Sequence, residues 1–241
     1  TFYKGKRVGA MGHLGCFSFQ QSKHMTTGDG GMVITNRDER FGRKLRLCAD
    51  KGWPREKELG GVGRDHLFLA PNYHMTELQA AVGLAQLRKL GKVVQKRREA
   101  AKSFDHLVER IPGLSPKGEK EWARHSYFFY PVSVDLKKFK VSLIELARAI
   151  RAEGIKVDPG YLPFPIYGYD MIRKKRTYGT SECPFSCPRY GKKIEYPEGL
   201  CPNGEKACKD TLIFPWNEKF TEQNVQDIAR GIKKVVDYYL C

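Results

Sequence analysis

Gly15-Cys-Phe-Ser-Phe-Gln-Gln-Ser-Lys23-His-Met-Thr-Thr-Gly28-Asp-Gly-Gly31 runs directly into Met32-Val-Ile-Thr35. A short apolar run meets a polar turn bearing one lysine, and a glycine-rich turn leads into a second apolar run. The pattern predicts two buried strands, Gly15–Phe19 and Met32–Thr35, with Lys23 held between them. Burial and nearby cations lower the pKa of an ammonium and free its amine as a nucleophile. Such an amine can form a Schiff base with a carbonyl compound. Ser18, five residues earlier, places a hydroxyl close by that can bind a phosphate. The plainer reading is a solvated loop lysine beside a glycine turn.

Outward from this stretch, helices and strands alternate. Arg37–Ala49 reads as a helix with Phe41, Leu45 and Cys48 on one side. Gly52–Ala70 reads as irregular, with Gly60-Gly-Val-Gly63 as a flexible point. Thr76 opens a long helix, and Gln79 completes a capping box. Its apolar stripe is Leu78, Val82, Leu84, Ala85, Leu87 and Leu90, and Pro112-Gly113 ends it. Tyr127–Val134 reads as a strand, and Ser142 with Glu145 caps a helix whose apolar face is Leu143, Leu146, Ala147 and Ile150. Ile155–Val157 is strand-like, Pro159–Pro215 is mostly loop, and Thr221 starts a final helix with Val225, Ile228, Ile232, Val235 and Val236 on one face. Alternating elements indicate an α/β or α+β protein.

Two windows carry a specific resemblance. Ser18-Phe19, Lys23 and Gly28-Asp-Gly-Gly31 form the first, and Pro71-Asn-Tyr-His-Met-Thr-Glu-Leu-Gln-Ala-Ala81 the second. In order and spacing the chain resembles the DegT/DnrJ/StrS-type aminotransferases, pyridoxal-phosphate enzymes that aminate keto-sugars and keto-cyclitols. Weaker echoes follow at His125-Ser-Tyr-Phe-Phe-Tyr130, at Cys201-Pro202 with Glu205, and at Leu212-Ile-Phe-Pro215, so the likeness runs from Phe2 to Tyr239.

The resemblance implies that Lys23 carries pyridoxal 5'-phosphate covalently, that Ser18 binds its phosphate, and that Asn72 reaches the phosphate of a neighbouring subunit. The active site would then be shared across a homodimer. It implies transamination from glutamate or glutamine to a nucleotide-linked keto-sugar or a keto-cyclitol. Relatives that dehydrate replace the lysine with histidine, whereas Lys23 is intact; dehydration or racemisation on the same cofactor is the variant reading. His74 stands where relatives carry an arginine, and imidazole lacks that fixed fork of donors. Pro163-Phe164 stands where many relatives carry a histidine near the sugar.

The implied fold is the end of a cofactor-binding large domain, a mixed sheet with helices, over residues 1–100, followed by a small α+β C-terminal domain over 101–241. A break in the long helix near residues 92–110 is the expected boundary. Only 22 residues precede Lys23, so the chain reads as the C-terminal part of a longer protein and is expected to be catalytically incomplete.

Charge and cysteines bound the alternatives. The net charge of +16, from 43 basic and 27 acidic residues, suits a diphosphate-bearing substrate or a nucleic acid. Its basic residues are dispersed apart from Gln95-Lys-Arg-Arg98 and Arg173-Lys-Lys-Arg176, and no zinc-finger, RNA-recognition or basic-zipper pattern occurs. A non-catalytic remnant or a basic nucleic-acid-binding domain is therefore the rival reading, with nucleic acid disfavoured as a partner. Cys183, Cys187, Cys201 and Cys208 are separated by three, thirteen and six residues; only the first pair has zinc-like spacing. Unpaired thiols in a reducing cytoplasm are the expectation, with no metal site. No run of about 18 apolar residues suggests a membrane span. The six histidines show no paired metal spacing; His24 either tunes Lys23 or is a surface residue.

Overall fold

The computed structural model describes residues 1–55, 65–177, 179–180, 183–186, 188, 190–192 and 194–241. In chain order the elements are β1 (Phe2–Tyr3), β2 (Lys6–Arg7), β3 (Gly15–Ser18), β4 (Gly31–Ile34), α1 (Glu39–Ala49), α2 (Glu77–Val108), β5 (Leu114–Pro116), β6 (Ala123–Arg124) and β7 (Phe129–Val134). There follow α3 (Leu143–Ala152), β8 (Asp158–Pro159), α4 (Asp170–Arg173), α5 (Pro202–Asp210), β9 (Thr211–Pro215) and α6 (Glu222–Tyr239). The Gly60–Gly63 stretch lies outside the described residues. This mixed α/β content agrees with the expected fold class.

The chain divides into two compact units. The first comprises Thr1–Arg98 and Glu119–Phe128, and the second Glu99–Gly118 and Phe129–Cys241. Helix α2 is continuous from Glu77 to Val108, so the division between the units, after Arg98, falls within the region near residues 92–110 but without a break in the helix. The reason is local: no proline falls within the helix, and its two glycines, Gly83 and Gly91, are isolated single residues rather than a pair. At its start Gln79 N–H donates to Thr76 Oγ1 (3.2 Å) and Thr76 N–H donates back to Gln79 Oε1 (3.1 Å), closing the expected box.

In the first unit, β3 and β4 pair antiparallel, with Gly15 opposite Ile34 and Ser18 opposite Gly31. A separate three-stranded sheet runs in the order β2-β1-β6. The two strands around Lys23 are not buried: of β3 only Gly15 is, and Met32 and Val33 are each about half exposed. A two-stranded ribbon covers no more than one of its own faces, and apolar composition alone does not supply a layer to pack against. The apolar stripe of α2 is exposed for the same reason, Leu78 at 81%.

The second unit has a conventional core. Its sheet runs β5-β7-β9-β8, all antiparallel, and β7 alternates so that Tyr130, Val132 and Val134 point inward. Phe104, Leu146, Ile150, Leu212, Val225 and Ile232 fill the space between sheet and helices. Phe104 packs edge-on to Tyr130 with ring centres 4.9 Å apart, and lies 5.3 Å from Trp216. Capping boxes set both main helices: Ser142 with Glu145 for α3, as expected, and Thr221 with Asn224 for α6.

Two sequence expectations are corrected here, and a third is refined. Tyr127 is not in a strand but has φ 51°, and β7 begins at Phe129. The strand near Ile155–Val157 is only the two-residue β8, one step later. Pro159–Pro215 is mostly loop, as expected, but it also holds α4, α5 and β9, and β9 lies inside the sheet between β7 and β8.

Candidate functional site

The turn bearing Lys23 is held by its own polar groups. Phe19, buried at the end of β3, receives Thr27 N–H on its carbonyl (3.0 Å) and donates its N–H to Gly30 O (2.8 Å), closing the loop. Within it, Gln20 Oε1 accepts from Ser22 N–H (2.8 Å) and Oγ (2.6 Å), and Lys23 N–H donates to Gln20 O (2.9 Å). Gly28 and Gly30 have φ of 84° and 134°, which only glycine adopts without strain, so the glycine-rich return is a geometric requirement. Lys23 emerges half-buried, its Nζ 4.0 Å from the centre of the Phe128 ring. Ser18 is exposed, and its Oγ accepts from Gln20 N–H (3.3 Å), which leaves the hydroxyl proton to donate outward.

Asn72 is held by the end of α1. Asp50 and Asn72 form an isolated antiparallel bridge. Tyr73 N–H donates to Ala49 O (2.7 Å) and Lys51 N–H to Pro71 O (2.9 Å), one bond on either side of it. The buried Asp50 carboxylate accepts from Arg55 Nε and from Lys51 Nζ (2.5 Å), with His74 Nε2 at 3.6 Å. The Arg55 guanidinium, then the Lys51 ammonium, hold the Asp50 carboxyl well below the usual carboxylate range, against the opposing effect of burial. His74, at the position where an arginine was expected, thus faces an acid of its own chain.

The two segments meet through Gln79, whose Nε2 donates to Asp29 O (3.1 Å) in the glycine turn. A cleft of about 940 Å³ opens between them, with Asp29, Gly30 and Met32 on one side and Tyr73, His74 and Met75 on the other. Ser18 and Lys23 share one connection; none of Ser18, Lys23 and Asn72 lines that cleft. In the second unit Pro163 and Phe164 border a smaller cavity of about 170 Å³ with Tyr167, Tyr196 and Glu205. There the Glu205 carboxylate accepts from the Tyr167 hydroxyl and from Gly199 N–H (2.6 Å). Cys201 and Cys208 carry free thiols, and Cys187 lies outside the described residues.

Sequence reasoning missed Asp50 and Phe128. Asp50 had a signal: an acid at the C-cap of α1 faces the negative end of the helix and needs cationic partners. Phe128 had only its place in the His125–Tyr130 echo. The Lys23 amine and the Ser18 hydroxyl are groups whose chemistry can engage an aldehyde and a phosphate.

Residues 1–189 match the model of the DegT/DnrJ/EryC1/StrS aminotransferase family. The spore coat polysaccharide biosynthesis protein SpsC of Bacillus subtilis is 29% identical over 98% of this chain and 57% of its own length. The UDP-4-amino-4,6-dideoxy-N-acetyl-beta-L-altrosamine transaminase of Helicobacter pylori is 30% identical over 98% of this chain and 56% of its own. The solved aminotransferase from Psychrobacter cryohalolentis superposes with a TM-score of 0.79 at 25% identity, covering 98% of this chain and 59% of that one. The chain therefore spans little more than half the length of the relatives it matches.

Proposed function

The chain belongs to the DegT/DnrJ/EryC1/StrS aminotransferase family, and from that premise we propose that it serves a pyridoxal-phosphate transaminase acting on a nucleotide-linked keto-sugar or keto-cyclitol, with glutamate or glutamine as amino donor. The observation that carries the reading is Lys23, half-buried on a self-braced turn with the Ser18 hydroxyl at the end of the strand before it. SpsC is named for polysaccharide biosynthesis and the Helicobacter pylori relative for a UDP-linked amino sugar. A net charge of +16 favours diphosphate-bearing substrates.

Bound pyridoxal phosphate supplies a sink for the electron pair released at the carbon bearing the amine. This chain's own residues do the rest. Lys23 Nζ would hold the cofactor and, as a free amine, would carry a proton at the reacting carbon. Ser18 Oγ donates to the phosphate. Asn72 would donate to the phosphate bound by a second protomer, the working unit then being a homodimer in the cytoplasm. Among the described residues no helix is long and apolar enough to cross a membrane.

Reduction with borohydride after incubation with pyridoxal phosphate tests the reading. A pyridoxyl group on the peptide containing Lys23 supports it; an adduct only on other lysines overturns the assignment. Keto-acid release from glutamate then separates transamination from dehydration or racemisation.

A further inference from the structure

Three consecutive backbone carbonyls after Arg124 are each claimed by a cationic or imidazole side chain. Arg98 Nε donates to His125 O (2.7 Å), His24 Nε2 donates to Ser126 O (2.7 Å), and the buried Arg97 donates from Nη1 to Tyr127 O (3.0 Å). Tyr127 adopts φ 51°, a conformation that bulky residues take only when their surroundings enforce it. The next residue is Phe128, whose half-buried ring meets Lys23 Nζ at 4.0 Å from its centre. His24, the neighbour of Lys23, also tilts against this ring, with centres 6.0 Å apart. The strap is therefore pinned at three successive points and bent at one residue, and what it delivers is an aromatic face under the amine.

The face of an aromatic ring attracts an ammonium and has no comparable pull on a neutral amine or an imine nitrogen. We propose that Phe128 is a positioning residue for Lys23: its ring is the platform on which the lysine ammonium rests whenever its nitrogen is not covalently engaged, and Arg97 and His24 hold the platform in place. This rests on the reading of Lys23 as the working amine. Lysine has a flexible four-carbon stem with many rotamers, so a displaced lysine would otherwise wander from the place where it is next needed. A cation–π contact at a half-exposed site is weak enough to be left quickly. It still narrows where the amine waits.

The test is competitive acylation of the 241-residue chain with acetic anhydride at one pH, reading the Lys23 peptide against exposed Lys92 as internal reference. Phe128→Leu is expected to raise the Lys23 rate about threefold relative to Lys92, the size of one exposed cation–π contact. Phe128→Trp, with the stronger ring face, is expected to keep it at or below the parent value. Should Phe128→Leu not fold, a lower rate with Trp than with Phe or Tyr carries the same comparison. Arg97→Met, which releases the strap at Tyr127, is expected to behave like Phe128→Leu. Equal Lys23 rates across the ring series overturn the proposal, since a merely structural phenylalanine would not follow ring strength. Borohydride trapping on the same samples keeps the two readings apart. Loss of trapping with the ring order intact sinks the transaminase reading alone, and retained trapping without the ring order sinks the platform alone.

Discussion

Asp50 and Asn72 face each other across an isolated antiparallel bridge, and the two backbone bonds flanking it tie Tyr73 to Ala49 and Lys51 to Pro71. The last residue before α1 unwinds thus holds the residue proposed to reach a phosphate. Asp50→Asn should weaken this clamp by about 1–2 kcal/mol, a value reduced because Lys51 and Arg55 both reach solvent. Hydrogen exchange at the Tyr73 amide reads it directly. Unchanged protection there would refute a side-chain contribution.

The same carboxylate sets a pH expectation. Its folded pKa is depressed by Arg55 and then Lys51, so its stabilisation is complete above the unfolded value of about 4 and is lost as pH falls through the lower folded value. Protection at Tyr73 should stay level from neutral pH down to about 4 and fall only in stronger acid. A fall between pH 7 and 5 would assign the clamp to another group.

Gly30→Ala should distort the loop that presents Lys23. Its φ is 134°, and an added Cβ would stand 2.9 Å from Thr27 Oγ1, the group that donates to Asp29 O. Strain of about 1–2 kcal/mol is expected. The pyridoxyl yield at Lys23 should drop with it, while Gly28→Asn, at an αL position with open space around it, should be far milder.

Phe104→Ala should cost about 3–5 kcal/mol in the second unit, because the fully buried ring touches Tyr130, Phe214 and Trp216 together. Urea unfolding followed by tryptophan fluorescence is the measurement. A loss below about 1 kcal/mol would mean that the aromatic cluster closes around the gap.

Ser142→Ala removes a complete capping box and should cost about 1 kcal/mol. The Ser142 amide, then its hydroxyl, hold the Glu145 carboxyl below the ordinary range, so the box is intact above the unfolded value of about 4.5 and opens as pH falls through the lower folded value. The variant should show a flatter acid limb than the parent in the same unfolding series.

What could be read in advance divides by the range of the forces involved. Thr76 with Gln79 and Ser142 with Glu145 are contacts three residues apart, and both helix starts were legible from them. Lys23 on its glycine-bracketed turn was legible too, since φ of 84° and 134° needs glycine wherever the loop sits. Strand β9 was not. Thr211-Leu-Ile-Phe-Pro215 is five residues long, and its place between β7 and β8 depends on partners over 50 residues away. Nor could the exposure of Met32 and Val33 be read, because burial depends on what covers a strand rather than on its composition. The Phe128 platform hides for a related reason: it depends on three carbonyl contacts made by residues 27 to 102 positions distant.

The uncovered ribbon and the bare stripe of α2 also govern how this chain behaves in a test tube. Leu78, Leu84, Met32 and Val33 offer adhesive surface, while a charge of +16 keeps neighbouring molecules apart. Colloidal stability is therefore a contest between short-range stickiness and long-range repulsion. Added salt screens only the repulsion, since the Debye length shrinks from about 10 Å at 0.1 M to about 3 Å at 1 M. Buffers of moderate ionic strength, usually chosen to keep a protein dispersed, are the ones in which this chain should cloud first.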